Sequence, residues 1–164
     1  MTNLGWRERG RARRAARKQW KIDRFEGVSL DSDQSIDLGR VRDLDRLLHA
    51  LRVLEGNSIL YIEHTLDPEI LQFLDENSVE PEPIVDPGTW WPRPERRYVP
   101  LTGEILDSLL AFSAVHADPE VCGHLAVTRG GRVILTAYDA GDGNVYVAAD
   151  LPADQLAALR RRLT

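Results

Sequence analysis

The sequence predicts an α+β domain, a mixed or antiparallel sheet of about five strands with helices mainly on one face, preceded by a basic N-terminal tail. Three observations carry this. First, Val41, Leu44, Leu47, Leu48, Leu51 and Leu54 recur at three- and four-residue steps between Arg42, Asp43, Asp45, Arg46 and Arg52, the pattern of a helix with one apolar face. Second, Gly56 supplies a left-handed stop and Ser58 to Ile62 is a β-rich run, so a strand follows the helix closely. Third, residues 124–128, 132–138 and 145–149 are strand-like, and Gly130 and Gly131 join the first two in a tight hairpin.

Taken in order, the chain begins with its most basic stretch. Residues 1–24 hold nine Arg or Lys against Glu8 and Asp23, a charge of +7; the remainder holds 12 against 24, or −12, which together give the net −5. Ala12, Ala15, Ala16 and Trp20 share a weak side, with good helix propensity but too little apolar area to hold a helix against a core. Residues 1–24 therefore read as a solvated tail or isolated helix, and residues 25–164 as one domain. Residues 21–38 alternate loosely through Ile22, Phe25, Val28, Leu30 and Ile36, with a turn at Asp31, Ser32 and Asp33, which predicts one strand or a hairpin. Asp37 is the expected cap of the helix that follows.

Beyond Ile62, Asp67 is the expected N-cap and Pro68 the first residue of a helix with the stripe Ile70, Leu71 and Leu74, ending at Asn77. Residues 78–97 carry five of the nine prolines together with Trp90 and Trp91, which predicts an irregular excursion because proline removes ladder donors. Tyr98 to Leu101 reads as a short strand. Thr102 caps a helix with the stripe Ile105, Leu106, Leu109, Leu110 and Phe112, running to about His116 and interrupted by Asp118 and Pro119. The last helix, Pro152 to Leu163, turns Leu156, Leu159 and Leu163 inward and places Arg160, Arg161 and Arg162 at its negative end. The phrase Asp-Pro-Glu, at Asp67 and again at Asp118, reads as repeated capping chemistry and not as a duplicated half.

Composition narrows the function classes. No run approaches the roughly 20 apolar residues of a membrane span, nothing apolar follows the basic start, and Cys122 alone permits no internal disulfide. A soluble, cytoplasmic protein with no membrane partner is expected, and the use of Arg over Lys points to a bacterial source. There is no Gly-rich phosphate loop, serine elbow or paired-histidine zinc helix, and neither a metal nor a cofactor is expected.

Two sets of residues remain. Cys122 and His124 are two apart at a strand start and share a side; with His116 across the turn, or Glu63 at the end of the central strand, they describe a small thiol enzyme. The plainer account makes Cys122 a small buried hydrophobe, and Glu63 and His64 a polar rim at a strand end. Asp139, Asp142 and Asn144 are spaced like a long hairpin turn, since no closing glutamate completes a calcium loop. Trp90 and Trp91, followed by Arg93, Arg96 and Arg97, have the composition of a binding hot spot, or of indoles folded back as a lid. The leading expectation is a non-catalytic protein-binding module, an immunity, antitoxin-like or adaptor protein whose acidic body receives a basic partner. A second alternative is nucleic-acid binding within residues 7–24, through Arg11, Arg13, Arg14, Arg17 and Lys18.

Overall fold

The computed structural model describes residues 30, 35–63, 65–80 and 96–164. Its elements are β1 (Ser35–Val41), α1 (Leu44–Leu51) continued by a 3-10 turn (Arg52–Leu54), β2 (Ile59–Glu63), α2 (Pro68–Glu76), β3 (Arg96–Pro100) and α3 (Gly103–Ser113). Then come α4 (Asp118–Val121), β4 (His124–Arg129), β5 (Arg132–Tyr138), β6 (Gly143–Ala148) and α5 (Ala153–Leu163). The strands form one sheet of six in the order β1-β6-β5-β4-β2-β3, and every neighbouring pair is antiparallel. The α+β class holds, with one strand more than expected. Among the described residues no helix is long and apolar enough to cross a membrane.

The apolar stripe of α1 does what its spacing requires. Leu44, Leu47, Leu48, Leu51 and Leu54 are fully buried against Leu60, Ile62, Val99, Val127, Leu135 and Val147 of the sheet, with Leu106 and Leu109 of α3 and Leu159 of α5 in the same cluster. Each such leucine contributes roughly 1.5–3 kcal/mol of burial. On the other side of the sheet Tyr61 and Ala126, with Tyr98 and Val133 against them, form a smaller cluster that includes no residue of these helices. The helices thus collect on one face.

The start of α1 differs from expectation. Val41 closes β1, paired with Gly143, and does not belong to the helix. The cap is Asp43, whose Oδ1 accepts from the N–H groups of Asp45 at 3.0 Å and Arg46 at 3.4 Å. Asp37 lies within β1, where its Oδ1 accepts from Gly39 N–H at 2.7 Å beside a register shift, and its Oδ2 from Asn144 Nδ2 at 3.0 Å. Asp67 caps α2 with Pro68 behind it, and Asn77 ends that helix, as its sequence predicts. Gly130 and Gly131 take φ of +57° and +74° in the β4–β5 turn. Arg96 and Arg97 fall in β3 and not in the irregular excursion, and Val79 N–H bonds Tyr98 O at 2.8 Å along the outer side of that strand. Residues 81–95 lie outside the described residues.

Candidate functional site

Among the described residues, the candidates Cys122, His124, Glu63 and His116 fall in two gatherings of ionisable side chains. The first surrounds Gly123, whose N–H donates to Glu63 O at 3.0 Å while its carbonyl accepts from Ala140 N–H at 2.9 Å, tying the end of β2 to the β5–β6 turn. Beside it lies a cleft of about 450 Å³ walled by Arg40, Asp118, Cys122, Asp139 and Asp142. Cys122 is 3% exposed, and its thiol donates to the backbone oxygen of His124 at 3.2 Å, not to the imidazole. Burial, and after it the negative charge of Glu63, push this thiol well above the usual cysteine range. The imidazole of His124 is occupied in turn: its Nδ1 accepts from Asp139 N–H at 2.9 Å and its ring meets Tyr138 edge-on at 6.0 Å.

Glu63 sits on the face away from the helices, because Leu60 and Ile62 of β2 point into the main core and the alternate residues point out. It is 2% exposed and faces Arg96 on one neighbouring strand and His124 on the other. Its carboxylate accepts from Arg96 Nε at 2.9 Å and from the Tyr61 hydroxyl. The Arg96 guanidinium stands 5.9 Å from the centre of the Tyr61 ring, which meets Tyr98 edge-on at 5.3 Å. Burial first, then the Glu63 charge, raise the Tyr61 hydroxyl far above its ordinary value. Cys122, His124 and Glu63 are therefore neighbours, yet their reactive atoms are each turned to a different partner.

These shifts set an alkaline limit. The ordinary values are 9.0 for the thiol and 10.0 for the phenol, and both groups are raised in the folded chain. The folded state then holds more protons than the unfolded one above about pH 9, so stability is complete below that pH and is lost above it. The slope reaches about 1.4 kcal/mol per pH unit for each group. Urea midpoints measured from pH 8 to 10.5 should fall, less steeply in Cys122→Ala. A flat profile would contradict the burial of both groups.

The second place is where the two Asp-Pro-Glu phrases meet. Leu66 and Asp67 both donate their N–H groups to Glu120 O, at 3.1 and 3.4 Å, and the Thr65 hydroxyl donates to Val121 O at 3.0 Å. Asp67 Oδ1 accepts from Glu69 N–H at 2.8 Å, and Glu120 Oε2 from Ala117 N–H at 3.0 Å. The second phrase does not repeat the first, since Ala117 is the N-cap of α4 and Asp118 Oδ2 accepts from Leu44 N–H at 3.4 Å, at the start of α1. His116 belongs here and not beside Cys122: its Nδ1 lies 3.6 Å from Asp67 Oδ2 and 3.8 Å from Glu120 Oε2. One donor atom each of Asp67, Glu69 and His116 falls within 4.8 Å of the others, which makes these the described residues able to hold a metal ion together. Leu66 and Val115, each just before a member of the Asp67–His116 contact, are 67% and 77% exposed. The recurrence of Asp-Pro-Glu was the only local signal for this corner, and it does not reveal that the two copies adjoin.

The remaining expected site residues fall as follows. Trp90, Trp91 and Arg93, and in the tail Arg11, Arg13, Arg14, Arg17 and Lys18, lie outside the described residues, as does His64. Arg97 is ion-paired with Asp75, Nη2 to Oδ2 3.4 Å, so both Arg96 and Arg97 are engaged with carboxylates of the same chain. Asp139 and Asp142 lie in the β5–β6 turn, with Asp142 N–H on Asp139 O at 2.7 Å and Arg40 Nε on Asp142 Oδ1 at 3.0 Å, whereas Asn144 already belongs to β6 and pairs with Arg40. Asp139 holds a φ of +50° there. A six-stranded antiparallel sheet with helices gathered on one face and an acidic corner at two helix starts is what fold and site together define. Comparison of the chain with protein-family models, with curated proteins and with solved structures finds no match in any of the three.

Proposed function

We propose that the chain is a non-catalytic protein-binding module, of an immunity, antitoxin-like or adaptor kind, that receives a basic partner in the bacterial cytoplasm. The observation that carries this reading is the distribution of charge. Residues 65–80 contain Asp67, Glu69, Asp75, Glu76 and Glu80 and no Arg or Lys, and they supply α2 and its flanks at one end of the sheet. An acidic surface of this kind steers a cationic protein onto itself and disfavours anionic ones. The cleft beside Cys122 adds support from the other side, because a protonated thiol bonded to a carbonyl is a poor nucleophile.

The test is capture from the native cell by the immobilised full chain. A basic protein should be retained, should be released as salt is raised, and should be retained equally by Cys122→Ser. Retention of no protein, or loss of retention in Cys122→Ser, would count against the reading.

A further inference from the structure

We propose that the partner docks on the corner where the two Asp-Pro-Glu phrases meet, and that the docking element is a cationic segment carrying an apolar side chain between its Arg or Lys residues. The inference rests on the protein-binding reading and gives it a surface and a partner chemistry.

Single exposed hydrophobics are ordinary on a protein surface. Leu66 and Val115 are not scattered, however: they flank one contact, that of Asp67 with His116. Their backbones are also fixed, Leu66 N–H by Glu120 O at 3.1 Å and Val115 N–H by Phe112 O at 3.0 Å. Neither side chain joins the main core cluster, so each is presented outward from a hydrogen-bonded backbone and little ordering remains to be done on binding. Near them stand the carboxylates of Asp67, Glu69 and Glu120, with Glu76 further along α2; Asp75 on the same helix is already paired with Arg97. The outer side of that helix continues the surface as a shallow groove past Pro68, Leu71, Gln72 and Glu76 to the Asp75–Arg97 ion pair. An apolar centre within a charged rim is the anatomy of a protein interface. Carboxylates outnumber cations along this rim, Asp67, Glu69, Glu76 and Glu120 standing beyond the Asp75–Arg97 pair, and the excess selects a cationic partner by charge complementarity.

The test uses the full chain in chelator-containing buffer, with fluorescein-labelled peptides of alternating Arg and Leu, or Arg and Ser, read by anisotropy. The Leu peptide should bind about tenfold more tightly than the Ser peptide. Leu66→Ser/Val115→Ser should erase that difference without lowering Tm, and Glu69→Gln should weaken both peptides and flatten their salt dependence. Equal affinity for the two peptides, no binding of either, or a tenfold preference that survives Leu66→Ser/Val115→Ser overturns the proposal. Binding that appears only after Arg11, Arg13, Arg14 and Arg17 are changed to Ser also overturns it, because the occupant is then the chain's own residues 1–24. Capture from the native cell separates the two readings. If Leu66→Ser/Val115→Ser still retains the partner, this corner falls while protein binding stands; if the unaltered chain retains nothing, both fall.

Discussion

Glu63→Ala is expected to lower the stability of the domain by about 3–5 kcal/mol, which is a shift of Tm on the order of 10 °C in a chain of this size. The carboxylate is 2% exposed and the Arg96 side chain 9% exposed, so water does not screen the pair and does not replace it when one member is removed. The Tyr61 hydroxyl loses its acceptor at the same time. The cost belongs to breaking the pair and not to the pair as such. Glu63→Met/Arg96→Met, which takes both charges out of the interior, should recover the part of the loss that belongs to the unpaired Arg96, though not the part that belongs to the Tyr61 hydroxyl. Chemical denaturation of the two variants decides the matter: a double variant no more stable than Glu63→Ala would show that the pair holds the sheet by more than mutual neutralisation.

Gly143→Ala should be nearly as damaging, for a steric reason. A β-carbon at this position would fall 1.6 Å from the carbonyl oxygen of Tyr138, a backbone atom that cannot swing aside as a side chain can. The Asp139–Gly143 turn would have to open, and with it the start of β6 and its pairing to Val41 of β1. We expect a loss at or above the upper end of the roughly 1–3 kcal/mol usual for overpacking. Gly131→Ala is the control. It also introduces a β-carbon in a turn, but nothing lies within 4 Å and only the φ of +74° opposes it. A cost of about 1 kcal/mol is expected there. Similar unfolding curves for the two variants would disprove the close approach at Gly143.

Sequence reading did best where the cause of structure is local. The stripe Leu44, Leu47, Leu48, Leu51 and Leu54, the cap-and-proline pair Asp67 and Pro68, and the Gly130–Gly131 turn each follow from a few neighbouring residues, and each is found in the fold. Val41 and Asp37, expected in and at the head of α1, lie three and seven residues before its true start at Leu44 and belong to β1. Val41 fits the helix spacing, and only its pairing with Gly143 assigns it to a strand. No local pattern carries that information.

The same boundary divides the sites. Residue types, spacing and charge were sufficient to predict the α+β class, the acidic body and the candidates Cys122, His124 and Glu63, because propensity, periodicity and net charge are properties of the chain itself. The tertiary structure alone decided what those candidates touch. Antiparallel pairing set Glu63 between Arg96 and His124, burial turned the Cys122 thiol to a carbonyl, and the adjoining starts of α2 and α4 brought Asp67, Glu69 and Glu120 around His116. Distance between residues remote in sequence is fixed by packing, and the chemistry of a carboxylate, thiol or imidazole is fixed by what that packing puts beside it.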